Sequence, residues 1–391
     1  MAPSLDLRGH PRSHPCSTHP RTGGPVTPPS VGHIVLARVA VDTPMGAQVY
    51  QEEIASRADE SLRTAADEGS STGLSTEQPW RVDHTVVRSL RSPLSGTARL
   101  PLGYLGNASA RVRAVAGRLL YPRDAVVHRM DLMLPPAPER EILTIHDVVA
   151  WRFPDESRPV RAAAEEARRA AAVICVSRFS AHEAVELLGI DEPHVVYNGV
   201  NQEFFDADRI PSAYIASLGV RGPYVLHAGG ASRRKNLAAL AEAWPAIRSA
   251  RPELTLVLSG PEHPDRTRLF AGLAGTRLVG RVPAASVPGL VAGAVAVVVP
   301  SLHEGFGLPA LEAMAARTPV VAAATSSLPE VVGHAGILVE PTAADIADGV
   351  VWATSGDPQI ALMVEAARLR AAEFTWERSA LEHARIWRSV G

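Results

Sequence analysis

From Gly32 onward, short blocks of consecutive apolar residues alternate with longer stretches in which apolar positions recur every three or four residues. HIVLARVAV (33–41) reads as a buried strand, and the stretch 46–69 reads as one helix ended by Gly69. The runs DAVVH (124–128), EILTI (141–145), AAVICVS (171–177) and HVVY (194–197) are too short for helices and predict further strands, with a helical segment over 160–171. The stretch 69–79 is polar and predicts a loop, and Asn198-Gly199 predicts a turn. After a polar segment at 206–211 the rhythm restarts with YVLHAGG (224–230), LTLVLSG (254–260), TRLVG (276–280), AVAVVVP (294–300), PVVAA (319–323) and GILVE (336–340). Alternation of this kind predicts parallel sheets covered by helices on both faces. Two series separated near residue 200 predict two doubly wound α/β domains, 32–200 and 201–372. Ligands of such domains bind beyond the carboxyl ends of the strands, so the residues after each strand carry the functional information.

Composition narrows the picture. The chain has 391 residues, 46% of them hydrophobic and 20% charged, with a formal net charge of −2. That length supports two cores, and the ordinary apolar content with only two cysteines excludes collagen-like, disulfide-scaffold and wholly disordered chains. A pI near 6.7 argues against a protein coated in positive charge for nucleic acid. Residues 1–31, rich in Pro, His, Ser and Gly, are expected to be a disordered tail, and their histidines show no recurring ligand spacing. Cys16 in that tail and Cys175 in an apolar run argue for two thiols in a reducing cytoplasm. The longest apolar stretch, 290–300, is about half of what a membrane-spanning helix needs.

Two asymmetries in the basic residues matter more. Of the 39 Lys and Arg residues, Lys235 is the only lysine, so its position singles out its surroundings. Between Arg81 and Arg123 stand eight arginines and one acid, Asp83, in a chain of net negative charge. That region is expected either to meet anionic lipid head groups or to form a solvated basic face.

Three loops carry candidate chemistry. After YVLHA comes GGASRRKNL, where Gly229 and Gly230 allow close approach to the backbone, and Arg233, Arg234 and Lys235 bring charge to a helix start; this reads as an anion site, with a diphosphate the expected ligand. It lacks the Gly-Lys-Ser/Thr of a P-loop. After AVAVVVP comes SLHEGFGLPALEAMA, with Glu304 ending the loop and Glu312 eight residues later in the following helix. Gly305, Gly307 and Ala310 fit G-x-G-x-x-A, a dinucleotide fingerprint, but Glu304 would set an anion beside a pyrophosphate and suits hydroxyl groups better. In TIHDVVAW, His146 and Asp147 follow a strand of the first domain and are read as a functional pair or as a structural histidine and a cap; His128, closing DAVVH, has a similar position. Asp206-Ala207-Asp208 resembles a metal-diphosphate pattern but falls in the interdomain connection, so no metal is assigned.

Together these motifs resemble the retaining nucleotide-sugar glycosyltransferases of glycosyltransferase family 4 (glycosyl transferases group 1), which have the GT-B fold of two Rossmann-like domains facing a cleft. The resemblance rests on TIHDVVAWRFPD, VICVSRFSAHEAVELLGI, VVYNGVN, YVLHAGGASRRKNL, LTLVLSGP, LVGRVP and, above all, PSLHEGFGLPALEAMAARTPVVAAATSSLPEVVG. FTWERSALEHARIW looks like the family's last helix, implying that 373–391 returns to the first domain. The resemblance implies that Glu304 contacts the donor sugar, that the amides of Gly305, Phe306, Gly307 and Leu308 lie near the sugar and diphosphate, and that Glu312 accepts from the ribose hydroxyls. It implies Arg234 and Lys235 at the diphosphate, with Gly230 standing where the family often has an arginine, so that Arg233 or Arg234 substitutes. Gly229 and Gly260 would line the donor loop, Val282 would meet the base, and Gly46 would approach the sugar phosphate. His146, Asp147 and His128 would line the acceptor side. No cofactor or metal beyond the nucleotide-diphosphate sugar is implied. The expected partners are that donor, a glycan or lipid-linked acceptor and an anionic membrane surface, with no nucleic acid. A mannosyl or rhamnosyl transferase of surface polysaccharide or glycolipid assembly, cytoplasmic or at the inner face of the membrane, is the expectation. A sugar-nucleotide epimerase of the same fold and a non-catalytic nucleotide-sugar-binding protein are the alternatives. A pyridoxal-phosphate phosphorylase is excluded because the only lysine lies in the phosphate loop.

Overall fold

A computed structural model describes residues 32–42, 45–69, 80–154 and 156–391; the expected tail, Cys16 and the loop 70–79 lie outside them. The chain forms two parallel sheets. The first contains β1 (His33–Val39), β2 (Arg81–Ser89), β3 (Ala98–Leu100), β4 (Val126–Arg129), β5 (Arg140–Ile145), β6 (Ala172–Cys175) and β7 (His194–Val195), in the order β3-β2-β1-β4-β5-β6-β7. The second contains β8 (Tyr224–Ala228), β9 (Thr255–Ser259), β10 (Thr276–Gly280), β11 (Ala296–Val299), β12 (Val320–Ala323) and β13 (Ile337–Val339), in the order β10-β9-β8-β11-β12-β13. Both orders reverse direction once, between β1 and β4 and between β8 and β11. These switch points open the crevices in which doubly wound sheets bind ligands.

The period-two geometry of a strand explains why the apolar runs are continuous. In β1, Ile34 and Leu36 join the core under one helical layer while Val35 and Ala37 join the other; in the second sheet Leu226 and Val297 face one layer, and Val225 and Val298 the other. Both faces are covered, so a polar side chain on these strands needs a partner inside the protein, as His227 of β8 has in the Val298 carbonyl.

The details depart from the pattern in four places. The stretch 46–69 is two helices, Gly46–Ser56 and Ala58–Gly69, broken at Arg57. The helical segment expected over 160–171 shrinks to Ala163–Ala167. β2 and β3, which the apolar rhythm does not announce, close one side of the sheet, β3 at its edge and β2 beside it, paired with β3 only at Val87–Ser89, so that half-exposed positions of β2 tolerate Arg, Asp and His. Asn198-Gly199 makes no turn: the strand of chain at 375–376 crosses directly over Gly199, where a Cβ would overlap the backbone of Thr375 and Trp376.

That crossing joins the two passages between the domains. Val200 N–H donates to the Phe374 carbonyl at 3.0 Å, and Trp376 Nε1 donates to Asn201 Oδ1 at 2.5 Å. The terminal helix Trp376–Val390, capped by Thr375, then packs on the helices Gly46–Ser56 and Ala58–Gly69 of the first domain. Its buried stripe, Trp376, Ala380, His383, Ala384 and Trp387, has helical spacing. His383 Nε2 meets Tyr50 Oη at 2.7 Å, and Arg385 pairs with Glu68 at 2.8 Å.

Candidate functional site

The floor of the site is made by three strand ends of the second sheet. Gly229 N–H donates to the Ser259 carbonyl at 3.0 Å and Gly260 N–H to the Gly280 carbonyl at 2.9 Å, so the ends of β8, β9 and β10 are tied together. Val282 follows β10 and is buried, while the Cα of Gly230 faces open space. Arg233, Arg234 and Lys235 form a single 3-10 turn, not the first turn of the α-helix, which starts at Leu237. Between them Asn236 adopts a left-handed conformation (φ 53°) and donates from its side chain to the Pro341 carbonyl at 2.9 Å. This reverses the chain and leaves the three cations on a tight loop ahead of the helix.

Opposite that loop, across the β8/β11 switch point, stands Glu304. Its Oε1 accepts from Lys235 Nζ at 2.6 Å and Ser301 Oγ at 2.7 Å, and its Oε2 lies 3.3 Å from Arg234 Nη1. Burial opposes ionisation of this carboxyl, but the charges of Lys235 and Arg234 and the hydrogen bonds from Lys235 and Ser301 outweigh it and hold the pKa at about 2. The backbone is held as firmly: Glu304 N–H donates to Ser326 Oγ, Ser327 Oγ donates to the Glu304 and Phe306 carbonyls, and Leu302 N–H donates to the Arg234 carbonyl at 2.7 Å. An acid and two cations brought together from positions 69 and 70 residues apart thus form one preorganised unit.

Gly305, Phe306 and Gly307 lead into the helix Leu308–Ala315. The Phe306 ring turns inward against Tyr197 and Phe374, leaving its backbone for the site. Glu312 is half-buried on the first turns of that helix, and burial raises its pKa to about 7. Gly46, at the start of its helix in the first domain, faces this segment; a Cβ there would lie 3.3 Å from Leu308 Cδ1.

The first domain meets the same loop directly. A Cβ on Gly305 would overlap the His146 carbonyl oxygen and come within 3.1 Å of Asp147 Cβ, so only glycine permits this approach. Ser177 Oγ and Ser180 Oγ donate to the Gly305 carbonyl at 2.7 and 2.9 Å. Glu330 of the second domain accepts from the N–H of Arg178 and from Tyr197 Oη, and His303 Nε2 lies 2.6 Å from Glu183 Oε2. The domains are therefore closed on one another. His146, half-buried at the end of β5 with Tyr50 edge-on at 4.7 Å, has its pKa lowered by burial and is neutral at pH 7. Asp147 Oδ1 accepts from Val149 N–H at 3.1 Å and so caps the turn that follows.

His128 does not belong to this site. It is wholly buried, its Nε2 meets Thr144 Oγ1 at 2.7 Å, and its Nδ1 accepts from Trp387 Nε1 at 3.2 Å. Burial beside His383 and His146 holds its pKa far below the usual value, so it serves as a neutral core residue under the terminal helix. The basic region also changes. Arg113 is buried, donating to Glu166 at 2.6 Å and to the Leu132 carbonyl at 2.8 Å, so it is an internal tie and no part of a surface.

Pattern reading missed several contributors. Ser301, Ser326 and Ser327 are unremarkable in composition, and only contact reveals that they hold Glu304. Asp131, just past β4 at the first switch point, is half-buried, and burial raises its pKa. Its position after a strand was the available signal. Glu156, from the loop after the helix Val149–Arg152, reaches across the cleft to accept from Arg234 N–H at 2.8 Å, with its Oε2 3.3 Å from Arg234 Nε.

Comparison with known proteins agrees with this architecture. The profile described as "Glycosyl transferases group 1" matches residues 222–355, and that described as "Glycosyltransferase Family 4" matches residues 86–204. The chain is 31% identical over 291 residues to O-antigen chain mannosyltransferase B of Escherichia coli, a match covering 67% of this chain and 76% of that one. It is 32% identical over 240 residues to D-inositol 3-phosphate glycosyltransferase of Jonesia denitrificans, covering 55% of this chain and 56% of that protein. Among solved structures, Anabaena HepE in complex with UDP-glucose superposes with a TM-score of 0.66 at 20% identity, covering 91% of this chain and 99% of that one. The chain belongs to the family 4, group 1 glycosyltransferases and has their GT-B fold.

Proposed function

We propose that this glycosyltransferase is a retaining, metal-independent enzyme that moves a hexose from a nucleotide-diphosphate sugar to a glycan or lipid-linked acceptor. The observation that carries the reading is the unit of Arg234, Lys235 and Glu304 at the β8/β11 switch point, closed over by His146 and Gly46 of the acceptor-side domain. Breaking the anomeric C–O bond puts negative charge on the departing diphosphate and oxocarbenium character on the sugar. Two cations held in place before the reaction stabilise that charge where it develops, without reorganisation. Glu304, anionic throughout the working pH range, accepts from sugar hydroxyls. Glu312 accepts from the ribose hydroxyls, and His146, neutral and against the Gly305 loop, lines the acceptor side. Closure excludes the water that would otherwise hydrolyse the donor. Retention follows if the acceptor attacks the face the diphosphate leaves, the departing oxygen taking the acceptor proton.

A mannose- or rhamnose-type donor in surface polysaccharide or glycolipid assembly is the reading favoured, supported by the similarity to a mannosyltransferase. The relatives named above are transferases, which does not favour an epimerase or a non-catalytic binder. Incubation with GDP-mannose, dTDP-rhamnose, UDP-glucose and UDP-N-acetylglucosamine in EDTA, following nucleoside diphosphate release with and without glycan acceptors, tests the whole reading. Release that required added metal, or product formed without acceptor, would overturn it.

Membrane association belongs to the same reading. With Arg113 turned inward, the outer face of the helix Ala110–Leu120 presents Val112, Val115 and Leu119, exposed at 41%, 55% and 85%, flanked by Arg111 and Arg118 and near exposed Tyr104. An apolar stripe edged by arginines suits the interface of an anionic bilayer. No helix among the described residues is long and apolar enough to cross a membrane; the reading favoured is peripheral contact through this stripe, at the membrane face where a nucleotide-sugar donor is available.

A further inference from the structure

Arg234 and Lys235, two of the three cations of the 3-10 turn, are each engaged by a carboxylate: Glu304 beside both, and Glu156 from the first domain at Arg234. A diphosphate that reaches these two cations must compete with one of those carboxylates. Glu304 is ill suited to yield, being held by Ser301, by Lys235 and through its backbone by Ser326 and Ser327. Glu156 is held differently. Its segment is tied locally by Glu156 N–H donating to the Phe153 carbonyl at 2.9 Å, and its carboxylate spans from one domain to the other. Its two oxygens engage a backbone N–H and a guanidinium of the 3-10 turn, the same kinds of donor that a phosphate oxygen accepts from at such a turn. Opening the domains would carry it away from Arg234.

We infer that Glu156 is the resident counter-anion of the donor site: it competes with the diphosphate for Arg234 and thereby sets how tightly the nucleoside diphosphate is held and how readily it leaves. This rests on the nucleotide-diphosphate donor proposed above. The pair is partly buried, with side-chain exposures of 20% and 14%, so removing the competing charge should tighten diphosphate binding by about three- to tenfold.

The test is calorimetric titration of the full chain with GDP, UDP, ADP and dTDP, followed by the nucleoside and the monophosphate of whichever base binds. Glu156→Gln should bind that diphosphate about three- to tenfold more tightly than wild type, gain less for the monophosphate, and bind the nucleoside unchanged. The gain should vanish when Arg234→Gln is combined with it. Glu156→Ala serves the same purpose if the Gln variant does not fold. A gain equal for nucleoside, monophosphate and diphosphate would mean general loosening of the cleft and would overturn the inference, as would unchanged or weaker diphosphate binding. Failure of wild type to bind any of the four diphosphates would sink the donor reading itself, an outcome distinct from either.

Discussion

Replacing Lys235 by methionine removes one positive charge while keeping most of the side-chain volume, so it isolates the electrostatic part of the Glu304 unit. In the wild-type protein Glu304 has a pKa of about 2, below the ordinary 4.5. A depressed carboxyl pKa means that the folded state binds the proton less readily than the unfolded chain. The stability it contributes is therefore fully present above pH 4.5 and is lost as the pH falls from there toward 2. A shift of that size corresponds to about 3 kcal/mol at most, and Glu304 is only 8% exposed, so solvent screening takes little from it. Lys235 stands first among the groups opposing the burial cost, ahead of Arg234 and the hydrogen bond from Ser301. Lys235→Met should raise the Glu304 pKa, cost on the order of 1–2 kcal/mol at pH 7, and flatten the loss of stability between pH 4.5 and 2. Urea unfolding at pH 7, 4.5 and 3 reads this directly, with tryptophan fluorescence as the signal. On the proposed role of Lys235 at the departing diphosphate, the same variant should lose about 100-fold or more in turnover. Wild-type acid sensitivity together with wild-type turnover would refute both the pKa argument and the placing of Lys235 at the diphosphate.

Four further outcomes follow from the same geometry. Lys235→Arg should keep the fold and yet lose most turnover, because a planar guanidinium fork does not replace a compact ammonium donor in this tight loop beside Glu304; kcat with the best donor checks this. Glu312, with a pKa of about 7, should accept from ribose hydroxyls best when ionised, so affinity for the uncharged nucleoside should weaken as pH falls from 8 to 6 in wild type and lose that dependence in Glu312→Gln, as titrations across that range would show. Gly305→Ala should fold normally but hold the domains apart at His146, lowering kcat by about 100-fold and enlarging the particle seen by small-angle X-ray scattering. Val115→Asp with Leu119→Asp should abolish sedimentation with anionic liposomes at low salt while leaving transfer to a soluble acceptor unchanged.

The interior strands were legible because burial on both faces forces an uninterrupted apolar run, as in Val297-Val298-Val299. A place beside the sheet edge hides the same element. In β2 only Val87 is fully buried, and Arg81, Asp83, His84 and Arg88 interrupt the run, so that RVDHTVVRS carries the composition of a surface segment. Helix ends were less legible than helix existence. Arg57 is a good helix former, and the break there answers to packing, since the two helices it separates both lie against the terminal helix. Gly199 was correctly singled out and given the wrong cause. The pair Asn-Gly is the usual signature of a turn, whereas here the constraint is a second passage of chain arriving from residue 375, which local sequence does not register.

The candidate site divides along the same line. Arg234, Lys235, Glu304 and Glu312 lie in two continuous motifs of one domain, where position after a strand and residue type together point to an anion and its hydroxyl-bearing neighbour. On the other side of the cleft one positional argument covered both His146, just after β5, and His128, near the end of β4, and it did not tell them apart. The difference is in what lies above each ring. His128 is overlaid by the terminal helix, whose Trp387 arrives from 259 positions away and takes Nδ1, whereas the backbone carbonyl of His146 meets Gly305 of the opposite domain. A strand end contributes to a cleft only where no returning segment covers it. In a chain whose last helix crosses back, the first-domain side of the cleft is therefore decided by the 15 residues from Trp376 to Val390 as much as by the strands themselves.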